Sequence, residues 1–209
     1  MKKRKLINWL CLTGIISLIF YILHDVIGSI NYNGYNWTRQ AVSDLTATDS
    51  PVYTISHNLS LVHGILSCLC SLLVCILIKK EEKKTFRFGI YLFTTMNFIS
   101  AIGYSLFPLS SKGYDGSFQS FMHVYVITIL VVLLSIVSLI LISIGSFKLK
   151  KKLLGTLSIV ALLLMFLGAV GSGILPKSVF GIVERFSTYS AVVFTAILGI
   201  YGFNKIDNN

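Results

Sequence analysis

The ionisable residues outside the basic clusters of this chain fall in or beside long apolar runs, and they come in combinations that can do chemistry. His24 and Asp25 are adjacent, as are Ser43 and Asp44, while His57 and His63 lie within a few turns of each other. His123, Glu184 and Arg185 join them. A charge inside a bilayer is costly and usually has a partner or a function. One chemistry is hydrolysis or acyl transfer. A histidine would serve as general base, oriented by Asp25 or Asp44, with Ser43 or water as the nucleophile. A second is a divalent metal such as zinc, held by Asp44, His57, His63 and His123 and activating water. His57 and His63 are six apart and not stacked at i, i+4, so a metal would need convergence between helices. The third reading is structural: Asp, Arg and His pair and cap the outer helix ends. Asp44 after Ser43 suits a cap, and Glu184 with Arg185 suits an interfacial ion pair or a snorkelling arginine.

The elements that position these residues are six apolar runs, at about 6–30, 56–78, 88–109, 119–146, 153–175 and 183–204. Each has the roughly 20 residues that a helix needs to cross a hydrocarbon core. Apolar residues make up 55% of the 209 and charged residues 12%, about half the charge of a soluble domain of this size. The expected fold is all-α, a polytopic integral membrane protein with one six-transmembrane-helix bundle over residues 1–209. Little chain remains for a separate soluble domain.

The formal net charge of +10 invites a nucleic-acid reading, but its distribution argues for a membrane. Fourteen of the eighteen basic residues fall before the first run or after the second, fourth and sixth; only Arg39, Lys112, Lys177 and Arg185 fall elsewhere. This is the positive-inside pattern, and it predicts a multi-pass protein of the cell membrane with both termini cytoplasmic, N-in and C-in. The basic clusters then meet anionic lipid headgroups, so the expected partners are membrane lipids and not nucleic acid. The first run is too long and too polar, with Tyr21, His24 and Asp25, for a cleaved signal peptide. Cys11, Cys68, Cys70 and Cys75 all sit inside runs without metal-knuckle spacing and read as small apolar packers. A haem protein is a further reading because histidines lie in the runs, but ligation across a bundle would want facing histidine pairs at matched depth with room between them.

The connections also carry expectations. The first outer loop, about 31–54, holds Tyr32, Tyr35 and Trp37, aromatic residues suited to the interface. Residues 37–45 suggest a short interfacial helix, and Pro51 suits the entry to the next span. Phe107 and Pro108 suit a helix end. On helical projection Gly14, Ser17, Tyr21, His24, Asp25 and Gly28 share one face of the first span. His57, Ser60, Gly64, Ser67 and Ser71 share one of the second, and Gly168 and Ser172 form a small-xxx-small pair in the fifth. Such faces should look inward, because helices in lipid associate through small residues and hydrogen bonds. The ionisable groups would then gather at one depth, as an outward-facing polar His/Asp/Glu pocket.

The run Gln40-Ala41-Val42-Ser43-Asp44-Leu45, then Pro51 and a span opening at His57-Asn58, resembles the "ISDLG…P…N" signature of a bacterial membrane family, domain of unknown function 998. Phe107-Pro108, His123 and Gly181-Ile182-Val183-Glu184-Arg185 match further pieces in the same order. The chain departs from that pattern at Thr46, where Gly is expected. More remotely, it is similar to the Frag/DRAM/Sfk group, through the Ser43-Asp44 loop, Phe118 and Gln119 before His123, and Glu184 opening the last span. Some members of that group act in remodelling of lipid anchors, which implies lipid chemistry by analogy. The resulting expectation is a protein that binds or modifies lipid headgroups. As an enzyme it would be a membrane-embedded hydrolase or acyl transferase. The alternative is a non-enzymatic small transporter, sensor or accessory membrane subunit.

Overall fold

The computed structural model describes residues 4–111 and 113–205. Lys2, Lys3 and Lys112, three of the eighteen basic residues, lie outside them. The described residues fold into helices joined by short connections and contain no β-strand. α1 (Leu6–Leu10) and α2 (Thr13–Asn31) make one rod, broken by a turn at Cys11–Leu12. After a 3-10 turn at Val42–Thr46 come α3 (Tyr53–Ile78) and α4 (Lys84–Leu106). α5 (Phe118–Phe121) passes through a π-helical segment, Met122–Ile127, into α6 (Thr128–Lys148). α7 (Lys152–Ile174), a 3-10 turn at Lys177–Val179 and α8 (Phe180–Asn204) complete the chain.

The long helices form a ring. α2 packs on α3, α3 on α4, α4 on α6, α6 on α7, α7 on α8, and α8 returns to α2, with α3 and α8 touching across the middle. Many of the residues that face inward are small or polar, as expected where lipid replaces water. The buried residues of α2 are Gly14, Ser17, Tyr21, His24, Asp25 and Gly28, the face that helical spacing selects. Large apolar residues such as Ile65, Leu133, Leu163 and Phe166 point outward instead. An exposed apolar belt of this kind marks a membrane-facing surface.

Five stretches are long and apolar enough to cross a membrane: Leu6–Asn31, Tyr53–Ile78, Phe118–Lys148, Lys152–Ile174 and Lys177–Asn204. The expected sixth, α4, has the length at 23 residues but not the apolarity. Of its polar residues, Thr94 and Asn97 are turned into the bundle.

The two ends of the bundle differ. At one end, Asn8 donates to the carbonyls of Gly202 (2.9 Å) and Lys205 (2.7 Å), so the first and last helices meet there. Glu81, between α3 and α4, joins the same end by pairing with Lys151 at 3.2 Å and Lys205 at 2.8 Å. At the other end the loop after α2 meets the segment after α4, where the Thr48 amide donates to the Leu109 carbonyl at 2.9 Å. The interior changes along the same axis. The half nearer the lysines is filled by Val74, Ile78, Phe86, Phe93, Leu139, Ile142, Phe194 and Leu198. The buried ionisable side chains His24, Asp25, His123 and Arg185 lie in the opposite half.

Candidate functional site

The polar half is organised around Arg185, in the second turn of α8. Its Nη2 donates to Asp25 Oδ1 at 2.7 Å and its Nε to Asp25 Oδ2 at 3.0 Å, a two-pronged pair buried on both sides. Nη1 donates to the carbonyls of Trp37, Gln40 and Gly181, and Nη2 also to the Tyr35 hydroxyl at 3.0 Å. The Trp37 ring lies over the guanidinium, 4.5 Å from its centroid. Tyr189, one turn along α8, donates to Asp25 Oδ2 at 3.0 Å. Every nitrogen of Arg185 is therefore engaged, and both Asp25 oxygens are in use. This is a clasp that holds the first outer loop against α2 and α8. Arg185 pairs with Asp25 and not with its neighbour Glu184, correcting the expected interfacial pair. Adjacent helix positions point about 100° apart, so the two cannot share one direction.

The clasp also explains why 37–41 is not helical. A helix there would direct the carbonyls of Trp37 and Gln40 along its own axis, whereas the structure turns both toward Arg185. The regular part is the short 3-10 turn Val42–Thr46, in which Asp44 Oδ2 accepts from the Ala41 amide at 3.1 Å. Burial outweighs that amide and the Arg185 charge and holds the Asp44 carboxyl above its ordinary pKa. Burial likewise pushes the Tyr35 hydroxyl up to about 12, against the pull of Arg185, so it stays protonated and donates to the Ala41 carbonyl at 2.6 Å. Ser43 is exposed. Glu184 turns toward the loop and accepts from the Val42 amide at 3.2 Å. It lies within electrostatic reach of Asp25, Asp44, Tyr21 and Tyr104.

The four histidines have separate settings. His24 is 3% exposed, and neither of its ring nitrogens has a hydrogen-bond partner in the protein. It stands beside Tyr21 (ring centroids 5.7 Å) and within electrostatic reach of His63 and Asp25, but Asp25 is already taken by Arg185 and Tyr189. His63 reaches Ser17 with Nδ1, at 2.8 Å to the hydroxyl, and packs on Tyr21 at 4.9 Å. His123 sits in the π-helical segment, a distortion that recurs at functional sites. Its Nδ1 donates to the Phe107 carbonyl at 2.6 Å, and because a carbonyl only accepts, this leaves Nε2 as the basic nitrogen. Its ring packs on Tyr104 at 4.7 Å. His57 stacks on Tyr53 at 5.0 Å near the start of α3.

The structure thus brings His24, Asp25 and Arg185 into one cluster, with His63 beside it and Glu184 facing it. No direct hydrogen bond or ion pair links Asp44, His57, His123 and Glu184 to one another among the described residues. Ser43 has no histidine in hydrogen-bond contact either. As for the metal reading, no three His, Cys, Asp or Glu side chains form a group able to hold an ion among the described residues. Asp44, His57, His63 and His123 stand with different neighbours. All four cysteines are free thiols, and Cys70 donates to the Cys11 carbonyl at 3.2 Å. Spacing alone does not single out Tyr189, Tyr35 or Tyr104 as members of the site. A signal for Tyr189 is present: it lies four residues after Arg185, on the same helix face.

These features define an all-helical membrane protein with several apolar, membrane-length helices and a polar layer toward one end. The chain belongs to the family described as protein of unknown function (DUF998), whose model matches residues 15–201. No curated protein and no solved structure matches it.

Proposed function

We propose that this protein crosses the cell membrane six times, with both termini in the cytoplasm, and engages lipid headgroups through its outer polar layer. For the topology, the support is the division of the bundle into a lysine-rich end, where the first and last helices meet, and an opposite end without such clusters. α4 is the sixth crossing; Thr94 and Asn97 are tolerated because they face other helices, and the exposed Thr95 and Ser105 hydroxyls donate to the Tyr91 and Ala101 carbonyls of their own helix.

One observation carries the functional reading. His24 is buried, ionisable and without a hydrogen-bond partner in the protein, in a layer where Asp25 and Arg185 are fully engaged. A buried unsatisfied group costs on the order of 1–3 kcal/mol, so its retention points to use and not to stability. With His63 and Tyr21 near it, and Glu184 within electrostatic reach of Tyr21, it offers donors, acceptors and a proton-exchanging pair suited to a hydroxylated or phosphorylated headgroup. Any chemistry there is acid–base work on lipid, as in a hydrolase or acyl transferase, with Glu184 and the imidazoles moving protons. A transporter is less well supported, since the cytoplasmic half is closed by fully buried Phe86, Phe93 and Phe194. A sensor or accessory subunit using the same polar layer is the remaining alternative.

The test compares cells carrying the wild type, His24→Leu and Glu184→Gln, by mass-spectrometric lipid profile and by detergent melting of each purified protein. The expected result is an altered lipid profile in both variants with the fold intact. Profiles identical to wild type in stably folded variants overturn the reading.

A further inference from the structure

The basic residues assigned to the outside are few, and three of them lie on segments that come together at Gly181, one corner of the bundle. Arg39 stands between Thr38, whose carbonyl accepts from the Gly181 amide at 2.9 Å, and Gln40, whose carbonyl packs against Gly181. Lys177 lies in the turn that leads into α8. Arg185 is neutralised by Asp25, but Arg39 and Lys177 are exposed, and no hydrogen bond or ion pair holds either side chain among the described residues. Next to this corner a groove of about 420 Å³ runs between α7 and α8. Its walls are apolar, including Leu157, Val160, Leu164, Val193 and Ile197. Trp37 and Arg185 line it at the outer end. Along α8 it extends from Ile182 to Ile197, roughly 22 Å at the helical rise, which is most of a hydrocarbon core of about 30 Å.

We propose that this groove holds one acyl chain of an anionic phospholipid, with the phosphate between Arg39 and Lys177. The groove opens toward the bilayer, where Val160 and Val193 are exposed. An apolar slot at that depth is complementary to a chain, and the two unpaired cations above it are complementary to an anionic headgroup and not to a neutral one. Trp37, with its ring on the clasp, marks the boundary between the two parts. The inference deepens the lipid reading by naming the class of lipid and its side of approach. It rests on that reading for lipid as the ligand, and it requires no chemistry in the polar layer.

The experiment uses the full chain carrying Trp9→Phe, which leaves Trp37 as the sole tryptophan. Trp9 only packs edge-on against Phe203 at the opposite end. The protein is reconstituted in phosphatidylcholine vesicles and titrated with chain-brominated phosphatidylglycerol or chain-brominated phosphatidylcholine, reading quenching of Trp37. Half-maximal quenching is expected at an about tenfold lower mole fraction of the anionic lipid. Arg39→Gln with Lys177→Gln should abolish that difference, and Val160→Phe with Val193→Phe should reduce quenching by both lipids. Equal quenching by the two lipids, or a preference that survives Arg39→Gln with Lys177→Gln, overturns the proposal. Trp37 left unquenched by either lipid also overturns it, since a second copy or a partner helix then occupies the groove. Symmetric vesicles make the result independent of orientation. The groove variants leave His24 and Glu184 in place, so failure here is distinguishable from failure of the polar-layer reading.

Discussion

Arg185 and His24 are both buried in the polar layer, and they make opposite demands on stability. Arg185 has every nitrogen engaged, so removing its partner leaves an uncompensated buried charge. Asp25→Asn is therefore expected to lower stability by about 3–5 kcal/mol, read as a large drop in detergent melting temperature. Arg185→Lys should fall in the same class, because an ammonium cannot reproduce the planar fork that meets Asp25. His24 has no bond to lose. His24→Leu should leave the melting temperature unchanged or raise it, while removing the lipid-dependent phenotype. A drop comparable to Asp25→Asn would place His24 in the structural framework instead. Asp44 is intermediate: Asp44→Ala removes one acceptor for the Ala41 amide and should cost about 1 kcal/mol, with function reduced in proportion to folding.

Glu81 and Gly168 show how the helices are held together at opposite ends. Glu81 is bound by Lys151 and Lys205, linking the α3–α4 connection to the start of α7 and the end of α8. Burial works against its ionisation, but the two ammonium groups outweigh this and hold its pKa below the ordinary 4.5. A depressed folded value means that the stabilisation is complete above 4.5 and is lost as pH falls through the lower folded value. Glu81→Gln should thus melt lower at pH 7, by about 1 kcal/mol for a partly exposed pair. Below pH 4.5 the wild type should converge on it; a constant difference down to pH 2 would contradict this account of the pair. Gly168 lets α7 lie directly against the backbone of Ser187 in α8. Gly168→Leu should force the two helices apart, with a cost of about 1–3 kcal/mol and a lower melting temperature. Much of this is legible from spacing. The inward face of α2 and the ends of most spans follow from period and apolarity, because burial in lipid selects small and polar residues along one stripe. The loop at 37–41 is not legible, since its conformation is set by Arg185, which lies 148 residues from Trp37. The partner of Arg185 is hidden for the same reason: Asp25 is 160 residues away, and only packing of α2 on α8 brings the two together.

At the scale of the whole molecule, the chain places two chemically different ends on one bundle. One gathers lysines and the meeting of the first and last helices over an apolar interior. The other gathers histidines, carboxylates and tyrosines beneath the loop that Arg185 holds down. The positions of the lysines along the chain are enough to reveal that polarity, but they do not say whether α4 crosses, because α4 is the least apolar of the long helices. The central claim is that the polar layer faces outward at the end of a six-crossing bundle. Cysteine substitution at three exposed positions, labelled on intact cells with a membrane-impermeant maleimide, tests it most directly. Asn33→Cys and Tyr114→Cys should be modified from outside, and Lys83→Cys should be modified only after the membrane is opened. Modification of Lys83→Cys with protection of Asn33→Cys would contradict the orientation, and protection of Tyr114→Cys together with Lys83→Cys would show that α4 does not cross.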